Sequence, residues 1–533
     1  MFKKLFSVVI LIIIMVIAFW NVNNIFFQQD EWLGLGNAFS FRAGGGIRQI
    51  MQEVFWPNHS VSRILPLTGL TNYVVFNTFK LNPWAYGLLA VSVASVNAIL
   101  LYLILQKWLE SHILGVMVAS LWITNNLALQ SITWIGTFIP SQFSVLFLLL
   151  AWYSWQRQRL WLTVALMWAS LWYKEMAPFY IILFPILAWL QKKLTVKTLI
   201  ILTLPLVIML GLPKLINLTR NLPIVVSPSL VPVTNENVFY NMWLLPARTL
   251  AHIFLPTNSL YKIFYRVDAI HYGIIGNGQI VESVVGDAFS LLVSFYILLA
   301  IFSLTALGKG PHSEAVWISL MVLFISILPY ALFNNQNAIL EPRYYIYPAL
   351  AAYLAIVVSV YRVFKASPKY IGSLILVLIF SPLLRQNILG VQANLSWDIQ
   401  TGQYRREIIK TVDSVRNNLG KNNIFLFSAP QGGFYEFQSG FGQTLAVWFY
   451  DTGKIPVEVL RDRDFWELGY EGIKNYSGRK YGYFMNYDKL LSVVKNDVEL
   501  NPNQIIAFMW NSQNHTVKNN TQEVREKLKR DLR

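Results

Sequence analysis

Long apolar runs, separated by short polar connections, fill the first 387 residues of this chain. Crossing the hydrocarbon core of a bilayer, about 30 Å thick, takes about 20 residues at a rise of about 1.5 Å each. The pattern therefore predicts crossing helices at residues 5–20, 84–105, 111–129, 136–155, 196–217, 288–308, 315–333, 344–364 and 369–387. Lys174 and Glu175 interrupt the run 160–190, which predicts two short helices and raises the count to about eleven.

Residues 238–255 are apolar but carry Pro246, Arg248 and His252. Basic residues collect in the cytoplasmic loops of membrane proteins, so their placement indicates whether this segment crosses. If it does not cross, all the short basic loops fall on the side of the N-terminus; they hold Lys107, Arg157, Arg159, Lys192, Lys193, Lys197, Lys309, Arg362, Lys365 and Lys369. The charge pattern favours an interfacial or re-entrant helix at 238–255 and a cytoplasmic N-terminus.

The composition agrees with an integral membrane protein, because 55% of the 533 residues are hydrophobic and only 13% are charged. A net charge of +16 would suggest nucleic acid as the partner of a soluble chain. Here much of that charge lies in the short loops, so nucleic acid is not an expected partner. The absence of cysteine excludes disulfides, thiolate metal sites and thiol nucleophiles.

The composition changes after Asn387 to that of a soluble domain. Residues 388–533 predict a small extracytoplasmic α/β domain, with strands at 423–429 and 505–510 and helices at 401–418, 443–450, 487–495 and 521–533. Residues 1–387 form the predicted transmembrane domain, with a first external loop at 21–83 and a large external loop at 214–287. The predicted fold class is thus a multi-pass α-helical membrane protein with a small C-terminal α/β domain.

Two acidic residues, Asp30 and Glu31, follow soon after the first predicted helix. A carboxylate at this place suits proton transfer from a hydroxyl or cation binding, although a solvated loop also carries such pairs. His59 and Arg63 are spaced to share one face of a helix. This face suits an anionic group at the membrane surface, or is the polar face of an ordinary interfacial helix.

Lys174 and Glu175 lie between two apolar runs that are each short for a crossing helix. Charges at such a depth usually line a polar cavity, unless the pair only caps a turn. Arg343 opens the helix predicted at 344–364, beside three tyrosines, and either binds an anion or snorkels to the interface. These charged groups are predicted to face outward.

The order of these features resembles the GT-C superfamily. Acidic residues soon after helix 1, a His/Arg-x-x-x-Pro-Leu stretch, a helix opening LNPWAYGLL, a KE turn and a helix opening RYYIYP form the ordered set. Together they are similar to bacterial polyprenyl-phosphate-dependent glycosyltransferases related to protein O-mannosyltransferases and lipid A aminoarabinose transferases. The resemblance covers about residues 1–387.

The resemblance implies a GT-C-like catalytic domain that transfers a sugar, with inversion, from a polyprenyl-phosphate carrier to an acceptor hydroxyl on the outer face. Asp30 would then be the general base that deprotonates the acceptor, and Glu31 would share or orient that role. Positive groups would stabilise the departing phosphate, and Glu175 would hold one of them in place. The residues implied for the donor phosphate are His59, Arg63, Lys174, Glu175 and Arg343.

No carboxylate occurs from Thr124 to Gly136. Relatives that use a divalent cation and a pyrophosphate-linked donor have further acids in this second external loop. A hard dication prefers several carboxylate oxygens. The sequence therefore favours a metal-independent monophosphate donor and no cofactor, with Glu236 or Glu341 as distant ligands if a divalent cation does bind.

Other functions remain open from the sequence. A transporter or flippase for polyprenyl-linked substrates would also place Lys174 and Glu175 in a polar cavity, but no internal repeat is evident. A lipid-linked glycan polymerase or ligase would use arginines and a histidine in a large external loop, where Arg248, His252, Arg266 and His271 lie. A non-enzymatic scaffold would depend on its outer domain. The expected location is the bacterial cytoplasmic membrane, and the expected acceptor is a lipid, glycan or protein.

Overall fold

The computed structural model describes the chain except for residues 1, 29–30, 57–63, 175–180, 223–234, 256–277, 309, 334–343, 366–368, 431–433, 435–436, 438–439, 468 and 498. The chain divides into two compact units. The first unit comprises Met1–Trp20, Val54–Thr68 and Leu89–Asn394, and the second comprises Asn21–Glu53, Gly69–Leu88 and Leu395–Arg533. The second unit thus joins the C-terminal sequence to much of the predicted first external loop.

Helices dominate the described chain. In chain order they are α1 (Phe2–Phe19), α2 (Glu31–Gly44), α3 (Ile47–Phe55), α4 (Pro66–Phe79), α5 (Pro83–Trp108), α6 (His112–Ile123), α7 (Gln130–Thr133), α8 (Ile135–Gln156), α9 (Leu160–Tyr173), α10 (Leu183–Leu190), α11 (Val196–Thr219), α12 (Asn235–Phe254), α13 (Gly278–Leu307), α14 (Ser313–Phe333), α15 (Ile346–Phe364), α16 (Lys369–Asp413), α17 (Phe441–Trp448), α18 (Tyr487–Asn496) and α19 (Thr521–Asp531). Every predicted crossing segment has a helix at its place, and α9 and α10 replace one overlong helix at 160–190.

Among the described residues, seven helices are long and apolar enough to cross a membrane, and a bent pair at residues 112–133 would make an eighth. Two shorter apolar helices, α9 and the first part of α14, accompany them. Large apolar side chains such as Ile13, Val207 and Phe295 are exposed on these helices. Such surfaces are stable against lipid rather than water. The protein is therefore a multi-pass membrane protein, as the sequence predicts.

One predicted helix end is wrong. α16 runs without a break from Lys369 to Asp413, so the predicted crossing helix at 369–387 and the predicted helix at 401–418 belong to one element. Asn387 is buried in the middle of α16, and its Nδ2 donates to the carbonyl of Leu121 (3.2 Å) and to the hydroxyl of Tyr353 (3.1 Å). Because its amide is paired in this way, a polar residue does not end the helix.

The centre of the first unit is α15, whose residues are mostly buried. Four alanines at positions 349, 351, 352 and 355 are buried there, and such small side chains allow neighbouring helices to approach closely. Polar side chains link further helices, since Asn97 on α5 donates to the carbonyl and to the side-chain oxygen of Gln142 on α8, both at 2.9 Å. Such internal bonds help to fix which helices meet.

A break separates α6 from α7 with a bend of 52°. Asn125 stabilises the break, because its Oδ1 accepts from the N–H groups of Leu127 (3.0 Å) and Ala128 (3.3 Å). Its Nδ2 donates to Tyr353 Oη at 2.8 Å, and that hydroxyl donates to the carbonyl of Ile253 at 3.1 Å. The break is thus tied to α12 and α15.

Loops that the charge pattern assigns to one side lie together in pairs within the first unit. Lys107 Nζ, at the end of α5, donates to the carbonyl of Gln156 at the end of α8 (3.0 Å). Arg362, near the end of α15, donates to the carbonyl of Gly308 after α13 (2.6 Å). Both pairs join loops that the sequence analysis places on the N-terminal side.

A five-stranded sheet organises the C-terminal part of the second unit. Its strands are β1 (Asn423–Ser428), β2 (Gly472–Tyr476), β3 (Arg479–Phe484), β4 (Ile505–Asn511) and β5 (Thr516–Asn519), in the order β2-β3-β1-β4-β5. β1 is parallel to β3 and β4, whereas β2 and β5 are antiparallel edge strands. The predicted α/β domain is therefore present, although β2, β3 and β5 are not predicted from the sequence.

The alternation of side chains along β1 gives the sheet two apolar faces. Ile424 and Leu426 point to a core with α18 and α19, which includes Leu490 and Leu528. Phe425 points to the opposite face, where it lies near Tyr481 (ring centroids 5.8 Å apart). This opposite face is the aromatic one, so the aromatic passages around residues 434 and 481 belong in part to a core.

Candidate functional site

Two of the seven predicted site residues, Glu31 and Lys174, lie among the described residues. Glu31 belongs to the second unit and Lys174 to the first. The predicted residues outside the described ranges are Asp30, His59, Arg63, Glu175 and Arg343. Their roles, and the convergence of all seven on one site, remain predictions.

Glu31 is the first residue of α2 and is almost fully buried, with 1% of its surface exposed. Its Oε2 accepts a hydrogen bond of 2.6 Å from the backbone N–H of Gln28. A carboxylate at a helix N-terminus is stabilised by the positive end of the helix dipole. Glu31 is therefore bonded to Gln28 and shielded from solvent, which fits an orienting role better than proton transfer in solvent.

Lys174 follows α9 directly and is 6% exposed. Its Nζ donates to Ser141 Oγ on α8 at 2.6 Å and lies 5.0 Å from the centre of the Tyr344 ring. Aromatic faces attract cations, and a hydroxyl oxygen supplies a polar partner. An ammonium group is costly in an apolar unit, so Lys174 is a candidate functional residue.

A chain of hydroxyl groups continues from the Lys174 site along the seam between α8 and α9. Ser144 Oγ lies 3.1 Å from Ser170 Oγ, and the hydroxyl of Tyr347 on α15 donates to Ser144 Oγ at 3.1 Å. Ser141 and Ser144 are three residues apart and share one face of α8, whereas Ser170 lies in the last turn of α9, directly before Lys174. The sequence analysis missed these serines, although this spacing was the signal that could have found them.

Aromatic rings close the site on the side of Tyr173. This ring is stacked on those of Phe143 (5.3 Å) and Phe147 (5.5 Å), and its backbone carbonyl accepts from Thr68 Oγ1 at 2.7 Å. Stacking fixes the end of α9, from which Lys174 projects. The position of the ammonium group is therefore set by packing and not only by its hydrogen bond.

An apolar crevice begins one helical turn from this hydroxyl chain. On α8 it is lined by Leu148, four residues after Ser144, and on α15 by Ala351, four residues after Tyr347. At about 1.5 Å per residue, four residues span about 6 Å along each helix. A polar site and an apolar crevice thus follow each other along the same two helices.

A second polar face lies on α12. Asn241, Arg248 and His252 are all buried, and their spacing places them on one side of the helix. The His252 ring lies 6.4 Å from the ring of Tyr345, next in sequence to the tyrosine beneath Lys174. Helix α12 is not among the candidate membrane spans. Burial, followed by the charge of Arg248, lowers the pKa of His252 to about 4, so its imidazole is neutral near pH 7.

The described residues contain no group of three or more His, Asp or Glu side chains that could hold a metal ion. The expectation of a metal-independent site remains a prediction, because Glu236 and Glu341 fall where no side chain is described. What the described part of the site offers is an ammonium group, rotatable hydroxyls and an aromatic face. These groups suit an oxyanion such as a phosphate.

No family model and no curated protein matches the sequence. Among solved structures, the chain is similar to ArnT from Cupriavidus metallidurans in the apo state, with 12% identity, 95% of this chain and 93% of that chain covered, and a TM-score of 0.40. It is similar to the same protein bound to undecaprenyl phosphate, with 12% identity, the same coverage and a TM-score of 0.39. Relatives this distant assign no role to a residue.

Proposed function

We propose that the protein is an inverting glycosyltransferase that moves a sugar from a polyprenyl-phosphate carrier to an acceptor hydroxyl. The observation that carries the proposal is the buried Lys174, bonded to Ser141 and placed over Tyr344 within a membrane-spanning unit. A buried ammonium group beside side-chain hydroxyls is suited to a phosphate that arrives within the membrane. A soluble anion would have to leave water to reach such a depth, and that transfer is costly.

The carrier phosphate would meet groups that can reorganise around it. Ser141 now accepts from Lys174, and a hydroxyl can rotate to donate its own proton to a bound oxyanion. Ser144 and Tyr347 can extend the same set of donors. Charge-assisted hydrogen bonds of this kind gain strength as negative charge grows on the leaving phosphate. The predicted groups Arg63, Arg343 and His59 would add to this stabilisation, with Glu175 orienting Lys174.

The apolar crevice suits the polyprenyl tail of the same donor. It starts one turn from Ser144 and Tyr347, so a phosphate at the hydroxyls would leave its first isoprene units at Leu148 and Ala351. Moving an isoprenoid from lipid into such a crevice exchanges one apolar contact for another and costs little. The crevice would therefore position the donor and select for an isoprenoid tail, and it would add little to the affinity for the donor.

In the proposed reaction, the acceptor oxygen attacks C1 of the sugar as the bond from C1 to the phosphate oxygen breaks. Asp30 takes the acceptor proton, and the bonding electrons leave with the polyprenyl phosphate. Glu31, buried and bonded to Gln28, would orient Asp30. We place the reaction on the outer face of the bacterial cytoplasmic membrane, with the N-terminus in the cytoplasm, and without a metal cofactor.

A transfer assay on the full chain in lipid nanodiscs tests the proposal. A panel of polyprenyl-phosphate hexoses and pentoses is offered with membrane lipid, glycan and peptide acceptors. We expect wild type to release polyprenyl phosphate and Asp30→Asn and Lys174→Ala to insert and fold but lose turnover. Unchanged transfer by Asp30→Asn would remove the proposed base, and transfer by neither wild type nor variants would remove the function.

A lipid-linked glycan polymerase or ligase is the second candidate, and the buried face of α12 favours it. Arg248 and His252 would be expected to hold a second lipid-linked substrate in such an enzyme, in addition to the donor at Lys174. The acceptor that each enzyme requires distinguishes the two candidates. A polymerase or ligase requires a lipid-linked glycan, and Arg248→Gln would raise the KM for that glycan without changing the KM for the monophosphate donor.

A further inference from the structure

The segment that carries the proposed base is packed against the C-terminal part of the chain inside the second unit. Before the base, Arg406 Nη2 donates to the carbonyl of Asn24 (3.3 Å), and Arg405 Nη1 donates to Gln28 Oε1 (3.4 Å). Gly402 faces Phe26 so closely that an added Cβ would lie 3.1 Å from that residue's backbone nitrogen. The chain is thus attached to α16 up to residue 28.

A second set of contacts follows the base. The fully buried ring of Trp32 lies 6.0 Å from that of Phe437, edge to face, and the ring of Phe39 is stacked on that of Tyr450 at 3.9 Å. At Gly36, α2 touches the backbone, because an added Cβ would lie 2.7 Å from the carbonyl oxygen of Leu460. The base-bearing segment is therefore fixed on both sides by C-terminal residues.

The two sets of contacts are close in sequence. Gln28 and Trp32 are four residues apart, and the Gln28 N–H donates to Glu31 Oε2 (2.6 Å). We infer that the C-terminal domain is a positioning device for the segment that carries the proposed base, in addition to any binding of an acceptor. This inference rests on the proposed function, since it assigns the domain a task in orienting the residue-30 carboxylate.

The consequence is a particular kinetic signature. Lys174 and the crevice belong to the first unit, so loosening the contacts of α2 should leave donor binding intact. A misplaced general base lowers the rate of the chemical step, and an error of about 1 Å can cost about 100-fold. Loss of turnover with unchanged donor affinity would therefore identify positioning, whereas a general loss of folding would lower both.

Gly36→Ala is the direct test, because its methyl group forces α2 away from Leu460. Gly211→Ala is the matched control, since an added Cβ there meets nothing within 4 Å. Lys480→Met is a second control, which removes ion pairs with Asp497 (2.7 Å) and Glu499 (2.8 Å). We expect Gly36→Ala to lower kcat about 10- to 100-fold and both controls to retain it.

A charge-reversal pair covers the case in which Gly36→Ala fails to fold. Glu53 and Arg461 form a half-buried ion pair between α3 and the C-terminal domain. Glu53→Lys and Arg461→Glu should each lower kcat, and the double variant should restore it, with hydrogen exchange of residues 31–44 rising and falling in parallel. Binding of sugar-free polyprenyl monophosphate should stay at the wild-type Kd throughout.

Two results would overturn the inference while wild type is active: an unchanged kcat when hydrogen exchange shows α2 released, or a Kd for polyprenyl monophosphate that rises with the loss of kcat. Absence of transfer by wild type would instead remove the proposed function beneath it. The outcomes for the function and for the positioning role are therefore separate.

Discussion

Replacing Lys174 by methionine separates the charge of this side chain from its volume. Methionine has a similar length and no charge, so the packing of the site is largely kept. In the wild type, Lys174 is only 6% exposed, and its Nζ donates to Ser141 Oγ at 2.6 Å. Water therefore cannot take the place of the missing charge in the variant. A hydrogen bond to a charged group contributes about 1.5–3 kcal/mol. The expected loss in kcat/KM for the donor is therefore about 10- to 150-fold.

The same substitution is not expected to unfold the protein. Replacing the ammonium group by apolar atoms of similar volume removes the cost of keeping a charge away from water. Ser141 loses one donor but keeps a hydroxyl that can find another acceptor. We therefore expect Lys174→Met to insert and fold while it loses transfer, which is the pattern of a group retained for function.

The assay measures kcat/KM for the polyprenyl-phosphate donor and the unfolding temperature of full-length protein in nanodiscs. Lys107→Met is the matched control, because Lys107 is an exposed lysine of the same unit that bonds only a backbone carbonyl in the described structure. Ser141→Ala tests the shared hydrogen bond, and its effect should not add to that of Lys174→Met. Transfer by Lys174→Met within about twofold of wild type would refute the phosphate role.

Three further variants test the fold. Burial alone would raise the pKa of Asp462, but hydrogen bonds from Lys474, from a tyrosine and from a backbone N–H hold that pKa below its usual range. The stability from this pairing is present above the unfolded pKa of about 3.9 and is lost as the pH falls through the lower folded pKa, so Asp462→Asn should lower the unfolding temperature at pH 7, and this effect should shrink as the pH falls below about 3.9. Asn125→Ala should cost about 1–3 kcal/mol in the free energy of unfolding, measured by urea or SDS titration, because it removes the cap of the short 3-10 helix Asn126–Ala128 before α7 and leaves Tyr353 without one donor. Arg362→Met should lower the unfolding temperature and leave kcat/KM unchanged, and a loss of donor affinity by this variant would contradict its assignment as a structural arginine.

The positions of the membrane helices could be predicted because apolar length decides them. The charged pair at Lys174 and Glu175 was the informative interruption, since two charges cannot lie in the middle of one lipid-facing helix. α9 ends at Tyr173, directly before the lysine. At Asn387 the same reasoning predicted a helix end, and that prediction was wrong. An amide can be paired by a neighbouring helix, as Tyr353 and Leu121 pair this one, so a polar residue ends a helix only when no partner is near.

Which segments of the chain form the second unit could not be predicted from the sequence. Glu53 and Arg461 are 408 residues apart in sequence, and no periodicity relates segments at such a distance. An apolar stripe along a helix shows that one face is buried, but it does not show which element covers that face. The glycine at position 36 was a weak local signal, because glycine within a helix often marks a close approach of backbone.

The serines beside Lys174 illustrate a different limit. In a membrane helix a serine usually bonds a carbonyl one turn earlier, as Ser319 and Ser359 do with Ala315 and Ala355. Ser141 and Ser144 instead have side-chain partners on other helices. All four are serines in membrane helices, so residue type alone does not distinguish the two kinds. The spacing of Ser141 and Ser144 is a local signal, but only the packing of α8 and α9 shows that they lie beside Lys174.

Comparing Lys174 with Arg362 explains why one buried cation is assigned to substrate and the other to the fold. Arg362 donates to the backbone carbonyls of Thr305, Gly308 and Gly310, which cannot rotate away and which it holds in a tight connection. Lys174 faces a hydroxyl and an aromatic ring. A backbone carbonyl can only accept, so it would repel a phosphate oxygen, whereas a hydroxyl can turn from accepting to donating. The chemistry of the partners, more than the charge itself, makes the Lys174 site able to receive an anion.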